Sequence, residues 1–299
     1  MKQRSAVRTW LEYAATRAVV ATLAHAPRPL AERLARVYAS LLDAVIPRLR
    51  RTALTNLALA MPSLDAAART RIADGSFASI GRILLAMARF PSIGSANVRE
   101  WIDYDGREHY DRALEQGRGV LFATAHLGNW ELSAFAHAIM AKPMHIVVRG
   151  LDNPRVDALV ARLRKLSGNH VIDKRDFARG ILRALARNEA VGILIDQNVA
   201  ASEGVFVDFF GVKACVSSGI ARIAARTGAP VIPGFAVWDR GLGRYVLKFY
   251  PPVAITGDEP ADTAAIHGAL EAAIREYPDQ WLWMHRRWKT RPPGGPPVY

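Results

Sequence analysis

The sequence predicts an α/β fold, with a central, mostly parallel sheet flanked by helices and preceded by an N-terminal helical arm. Three observations carry this. Beyond residue 100, short apolar runs alternate with helix-period patterns, the arrangement that builds a sheet from strand–helix–strand units. Before about residue 90 the chain is rich in alanine, leucine and arginine and is punctuated by prolines, as in consecutive helices. Finally, 299 residues, 51% hydrophobic and 22% charged, suffice for a large core and exclude a disordered or low-complexity chain.

The helices of the first part should end or kink at Ala26-Pro27, Pro47 and Pro62, because proline lacks the N–H donor and its ring clashes with the preceding turn. Asp65 is suited to cap a helix starting at Ala66, whose apolar face carries Phe77, Ile80, Leu84, Leu85 and Met87. Strands are then predicted at 119–125, 144–148, 190–195 and 231–238. The turn at Arg240-Gly-Leu-Gly243 leads into a hairpin strand at 245–250. Helices are predicted at 129–141, 154–166, 176–188, 217–227 and 263–276. No repeat or linker divides the chain, so residues 1–299 read as one domain, within which 1–51 form a basic helical arm.

The formal net charge is +13, and it is unevenly spread. Residues 1–51 carry +7, residues 281–299 carry +4 (Arg286, Arg287, Lys289, Arg291), and the 229 residues between carry +2. Basic ends on a nearly neutral body point to an anionic surface or partner: a membrane leaflet, an acidic carrier protein or nucleic acid. The absence of a recognisable nucleic-acid module argues against the last. The longest stretches without a formal charge are about twelve residues, short of the roughly 20 that a spanning helix needs. Glu12 and Arg17 interrupt any signal-peptide core. Arg4, Arg8, Glu12 and Thr16 make a polar stripe, with Trp10, Tyr13, Ala14 and Val20 facing elsewhere. That pattern fits a helix lying on a membrane and equally one packed on the protein's own core. Trp281, Trp283 and Trp288 are candidate interfacial rings at the other end. The single cysteine, Cys215, excludes an internal disulfide framework.

His126, Arg149 and Asp196 each directly follow a predicted strand. Parallel strands share their carboxyl edge, where open α/β sheets bind ligands, so residues distant in sequence are expected to meet there. In His126-Leu-Gly-Asn-Trp-Glu131, a tight turn at Gly128-Asn129 would let Glu131 fold back toward the imidazole, fix its tautomer and strengthen it as a general base. G-x-S-x-G, S-x-x-K, P-loop and G-x-G-x-x-G motifs are all missing, and the eight histidines lack metal-site spacing. No metal or cofactor is therefore expected. A base without its own nucleophile calls for a substrate that supplies one, such as a hydroxyl.

The same segment belongs to a longer series: Asn153-Pro154, Arg164, Ser167-Gly-Asn169, Asp196-Gln197, Gly204-Val-Phe-Val-Asp-Phe-Phe-Gly211, Ala224-Ala-Arg-Thr-Gly-Ala-Pro-Val-Ile-Pro233 and Gln280-Trp-Leu-Trp-Met-His-Arg-Arg-Trp-Lys-Thr-Arg-Pro292. In this order the chain resembles the late lipid A acyltransferases, the lauroyl and myristoyl transferases of lipopolysaccharide assembly, within the superfamily sharing an H-x4-D/E motif. The resemblance implies a glycerol-phosphate-acyltransferase-like fold. It also implies acyl transfer from an acyl carrier protein thioester to a hydroxyl of a membrane glycolipid, at the cytoplasmic face of an inner membrane. His126 would be the base and Glu131 its partner, with Arg164 and Asp196 at polar site positions and Arg149 a weaker substrate-binding choice. Phe209, Phe210 and the alanine-rich helices are candidates for an acyl groove, although such aromatics more often fill a core. Two features depart from the family: the first helix is short and interrupted, and Asp208 stands where proline is common. The motif is shared with enzymes that acylate phosphatidylinositol mannosides, and a non-catalytic lipid-surface protein would share the basic ends.

Overall fold

Four helices open the chain: α1 (Ala6–His25), α2 (Arg28–Val45), α3 (Pro47–Ala60) and α4 (Ala66–Arg89). The computed structural model describes residues 5–173 and 177–299. Lys2, Arg4 and Asp176, which entered the charge, stripe and helix-start expectations, lie outside the described residues. The breaks fall at the expected prolines, and Asp65 caps α4 by accepting the Ala68 N–H at 2.6 Å. α2 crosses α4 where small residues allow it: a Cβ on Gly81 would meet the Ala35 carbonyl at 2.7 Å.

α1 and α2 are inverted relative to ordinary surface helices. α2 buries Ala31, Ala35 and Ala39 and exposes Leu30, Val37, Leu41 and Val45. On α1, Val7, Trp10 and Leu11 are 70%, 56% and 58% exposed, whereas Glu12, in the supposed polar stripe, faces the body of the protein. There the Asn153 side-chain amide donates to Glu12 and to the Thr9 carbonyl, both at 2.9 Å. Among the described residues no helix is long and apolar enough to cross a membrane.

The remaining elements, in chain order, are β1 (Ile102–Asp105), α5 (Arg107–Glu115), β2 (Val120–Thr124), α6 (Trp130–Met140), β3 (His145–Val148), α7 (Pro154–Lys165), β4 (His170–Asp173), α8 (Phe177–Leu185), β5 (Ala190–Leu194), β6 (Val205–Phe209), β7 (Val212–Val216), α9 (Gly219–Thr227), β8 (Val231–Asp239), β9 (Arg244–Phe249) and α10 (Glu259–Glu276). Seven strands form one sheet in the order β1-β9-β8-β2-β5-β3-β4, parallel throughout except for the β8–β9 hairpin. Alternate residues of β2 enter opposite layers: Leu121 and Ala123 pack into one core, Val120 and Phe122 into the other.

Two kinds of strand escaped sequence reading. β1 and β4 are four-residue edge strands containing Asp and His, with no continuous apolar run. β6 and β7 form a separate antiparallel hairpin through Phe210-Gly211, whose φ values are 57° and 73°. Phe210 tolerates the left-handed conformation because its N–H donates to Glu271 at 2.5 Å and its ring packs against Trp281 and Trp283. Phe209 and Phe210 are core residues, not a groove. Asp208 pairs with Lys213 across the hairpin at 3.0 Å.

Candidate active site

The register of the central strands brings the key side chains together. β2 and β5 are parallel neighbours with Thr124 opposite Leu194, so two residues further on His126 and Asp196 emerge side by side at the carboxyl edge. His126 Nδ1 lies 2.8 Å from Asp196 Oδ1, and the His126 backbone N–H donates to Asp196 Oδ2 at 2.9 Å. The Trp281 indole N–H adds a third donor to Oδ2 at 2.8 Å. Burial alone would raise the Asp196 carboxyl. The neighbouring imidazole and these N–H donors outweigh it and hold the group below the usual carboxylate range. An ionised Asp196 can only accept, so Nδ1 carries the proton and Nε2 presents its lone pair. The Gln197 side-chain amide donates toward that lone pair at 3.3 Å. The Trp130 ring stands edge-on to the imidazole at 4.8 Å.

This corrects the expected His126–Glu131 pairing. The Gly128 turn does form, with φ of 63°, and only glycine fits there, because a Cβ would meet the Ala236 carbonyl at 1.9 Å. The turn leads to Asn129, which caps α6 by accepting the Leu132 N–H. Glu131 in the first turn of α6 does not reach back to the imidazole. It binds Arg164 of α7 through two hydrogen bonds, at 2.8 and 2.5 Å, with the two side chains only 8% and 15% exposed. The Glu131 carboxylate raises the Arg164 pKa even though burial opposes this. Arg149 is not gathered in. It is 80% exposed, and among the described residues its ion-pair partner is Asp152, at 3.8 Å.

The C-terminal tryptophan block builds the floor of the site. Trp281, Trp283 and Trp288 are at most 2% exposed, which corrects their reading as interfacial rings. Arg287, counted with the basic end, is fully buried and donates to the Cys215 carbonyl. The segment runs beside the His126–Gly128 loop, with the Leu282 N–H donating to the His126 carbonyl at 3.0 Å and the Gly128 N–H to that of Gln280. Asn56 of α3 donates to the Trp283 and His285 carbonyls, both at 2.7 Å, and Ser76 of α4 donates to that of Trp281. Sequence reasoning missed Trp281 and Gln197 as site residues. The equal distance of His126 and Asp196 from their strands was the available signal for their pairing.

A cavity of about 60 Å³ runs between α6 and the sheet, from Trp130, Glu131 and Arg164 at the edge to Phe122, His137 and Phe249 at mid-sheet. Its walls are largely apolar, and Gly192 and Gly234 leave space on the strands. Among the described residues, no three His, Cys, Asp or Glu side chains gather as a metal site.

A model of the bacterial lipid A biosynthesis acyltransferase family matches residues 1–290. The chain is 30% identical to the lipid A biosynthesis lauroyltransferase of Escherichia coli (strain K12) over 248 residues, 82% of this chain and 80% of that one. It is 24% identical to the myristoyltransferase of the same organism over 287 residues, 95% and 88% of the two chains. It is also 28% identical to the phosphatidylinositol mannoside acyltransferase of Mycolicibacterium smegmatis, over 71% of each chain.

Proposed function

The chain belongs to the bacterial lipid A biosynthesis acyltransferase family, and from that premise we propose that it moves a fatty acyl chain from an acyl carrier protein thioester to a hydroxyl of a lipid A precursor, with His126 as general base. The single observation that carries the mechanism is the hydrogen-bonded series from Trp281 through Asp196 to His126, which leaves Nε2 as the proton acceptor. As the acceptor oxygen attacks the thioester carbonyl, its proton passes to Nε2. When the tetrahedral intermediate collapses, the C–S bond breaks and the imidazolium returns the proton to the thiolate. Asp196, held ionised, stabilises the imidazolium. Glu131 fixes the Arg164 guanidinium at the mouth of the apolar cavity, where its charge favours a developing oxyanion. The apolar walls of the cavity suit the acyl chain, which at about 60 Å³ the cavity must widen to admit.

The net charge of +13 favours docking of an acidic carrier protein. The outward aliphatic residues of α1 and α2, together with the basic residues of the same helices, support peripheral attachment to the cytoplasmic face of the inner membrane. The similarity to a phosphatidylinositol mannoside acyltransferase supports a second reading, in which the acceptor is another glycolipid.

Mass spectrometry of purified protein incubated with carrier thioester and lipid A precursor tests the reaction, the expected result being one added acyl chain. Equal kcat/KM with carrier and coenzyme A thioesters would contradict the donor. Flotation with anionic liposomes tests attachment. Trp10→Glu with Leu11→Glu should lower recovery in the lipid fraction, and wild-type protein that stays in solution at low salt would contradict attachment.

A further inference from the structure

A second cavity, of about 350 Å³, lies between α2, α4 and the strand ends of β8 and β9. That volume is within the range of small-molecule sites. It lies toward the same edge of the sheet as the active site: β9 begins at Arg244, two strand spacings across from β2 and about three residues beyond the level of His126, roughly 14 Å away. Its lining is strongly cationic. Arg28 is paired with Glu32 at 3.2 Å, but among the described residues Arg36, Arg82 and Arg244 have no carboxylate partner. Arg36 donates to the Glu32 backbone carbonyl and Arg244 to that of Arg99. Arg82 stacks over Trp238 at 5.5 Å, which holds its planar fork in one orientation, and its Nε is buried without an acceptor. Tyr245 lines the same cavity. The residue is 2% exposed, and although Arg82 and Asn129 are close, the hydroxyl makes no hydrogen bond of ordinary geometry. Buried donors left unsatisfied beside a cavity are costly unless a ligand pairs with them.

We propose that this cavity binds the phosphorylated sugar headgroup of the acyl acceptor, holding it while a hydroxyl roughly 14 Å away reaches His126. Guanidinium forks fixed by stacking match phosphate oxygens bidentately. The carboxylates of Glu32 and Glu100 can accept from sugar hydroxyls. Two or three guanidinium groups around one cavity suit a dianion better than a neutral ligand. The identity of the ligand as acceptor rests on the acyl-transfer reading; the cationic cavity does not.

The test begins with binding, using full-length His126→Ala protein so that no turnover intervenes. Calorimetry with micellar phosphorylated glycolipid is compared with the same lipid after phosphatase treatment and with phosphatidylglycerol vesicles. Dephosphorylation should weaken binding at least tenfold. Arg82→Gln and the exposed Arg36→Gln should abolish that difference, and Arg82→Lys should recover part of it. Phosphatidylglycerol binding should be unchanged by all three. In the otherwise wild-type enzyme, Arg82→Gln should raise the acceptor KM about tenfold, with kcat and donor KM within twofold. Binding that is insensitive to phosphatase or to both arginine substitutions overturns the proposal. So does an equal loss of phosphatidylglycerol binding, which would assign the site to bulk lipid phosphate. Intact, arginine-dependent binding without any turnover in the wild-type enzyme supports the site and overturns the acyl-transfer reading instead.

Discussion

Two buried carboxylates stand at the same sheet edge, and they do different work. Asp196, 2% exposed, accepts three N–H donors, one of them the imidazole. Glu131, 8% exposed, is engaged by the fork of Arg164. Glu131 is five residues from His126 in sequence and Asp196 is seventy, yet the distant one is the partner. Adjacent parallel strands in register deliver side chains to the same point, whereas a helix start must follow its cap geometry. In this site the choice of partner is a property of the sheet.

The largest break in this comparison is expected from His126→Ala, which should reduce acyl transfer by about 10²–10⁴-fold while the protein remains folded by circular dichroism. Asp196→Asn should fall nearly as far, because an amide can present a donor to Nδ1 and favour the wrong tautomer. The double variant should be no slower than His126→Ala, as measured by kcat/KM with saturating donor. Glu131→Gln should also reduce activity, through Arg164, and should add a stability loss of about 3 kcal/mol in urea unfolding because a buried guanidinium loses its counter-charge. Glu131→Asp, one methylene shorter, should lose the bidentate contact while keeping the charge, and so fall between wild type and Glu131→Gln.

A smaller effect separates the site from the layers behind it. Burial pushes His137 and His267 down to about 3 and His285 to about 4. Neutral in the fold and protonated when unfolded, each contributes stability that is present above about pH 6.5 and lost as pH falls from there toward its folded value. Unfolding free energy should therefore drop by about 1.4 kcal/mol per histidine for each unit below pH 6.5. His267→Gln should flatten the slope between pH 7.5 and 5.5. The contribution of Asp196, whose pKa is depressed, persists to lower pH and should not appear in that window.

Much of this arrangement was legible in the sequence because hydrophobic periodicity and proline punctuation act locally. The breaks at Pro27 and Pro47, the Asp65 cap and the β2, β3, β5 and β8 strands all follow from neighbouring residues. His126 and Asp196 were recognisable as edge residues for the same reason. Their pairing was not, since it depends on β2 lying beside β5, which no local pattern records. The two basic ends teach the converse. Both read as surface from charge and tryptophan content, yet Trp281 is buried against α4 and Arg287 against the β6–β7 hairpin, while Trp10 faces outward. Only tertiary packing distinguishes a tryptophan that donates to a buried carboxylate from one that stays exposed.

The central claim, that Asp196 and not Glu131 sets the state of the His126 imidazole, is most directly tested by ¹⁵N NMR of the imidazole side chains in wild-type, Asp196→Asn and Glu131→Gln proteins at pH 7.5. His126 should carry its proton on Nδ1 with Nε2 bare in the wild type and in Glu131→Gln, and should lose that single tautomer in Asp196→Asn. Retention of the Nδ1–H tautomer in Asp196→Asn together with its loss in Glu131→Gln would contradict the account.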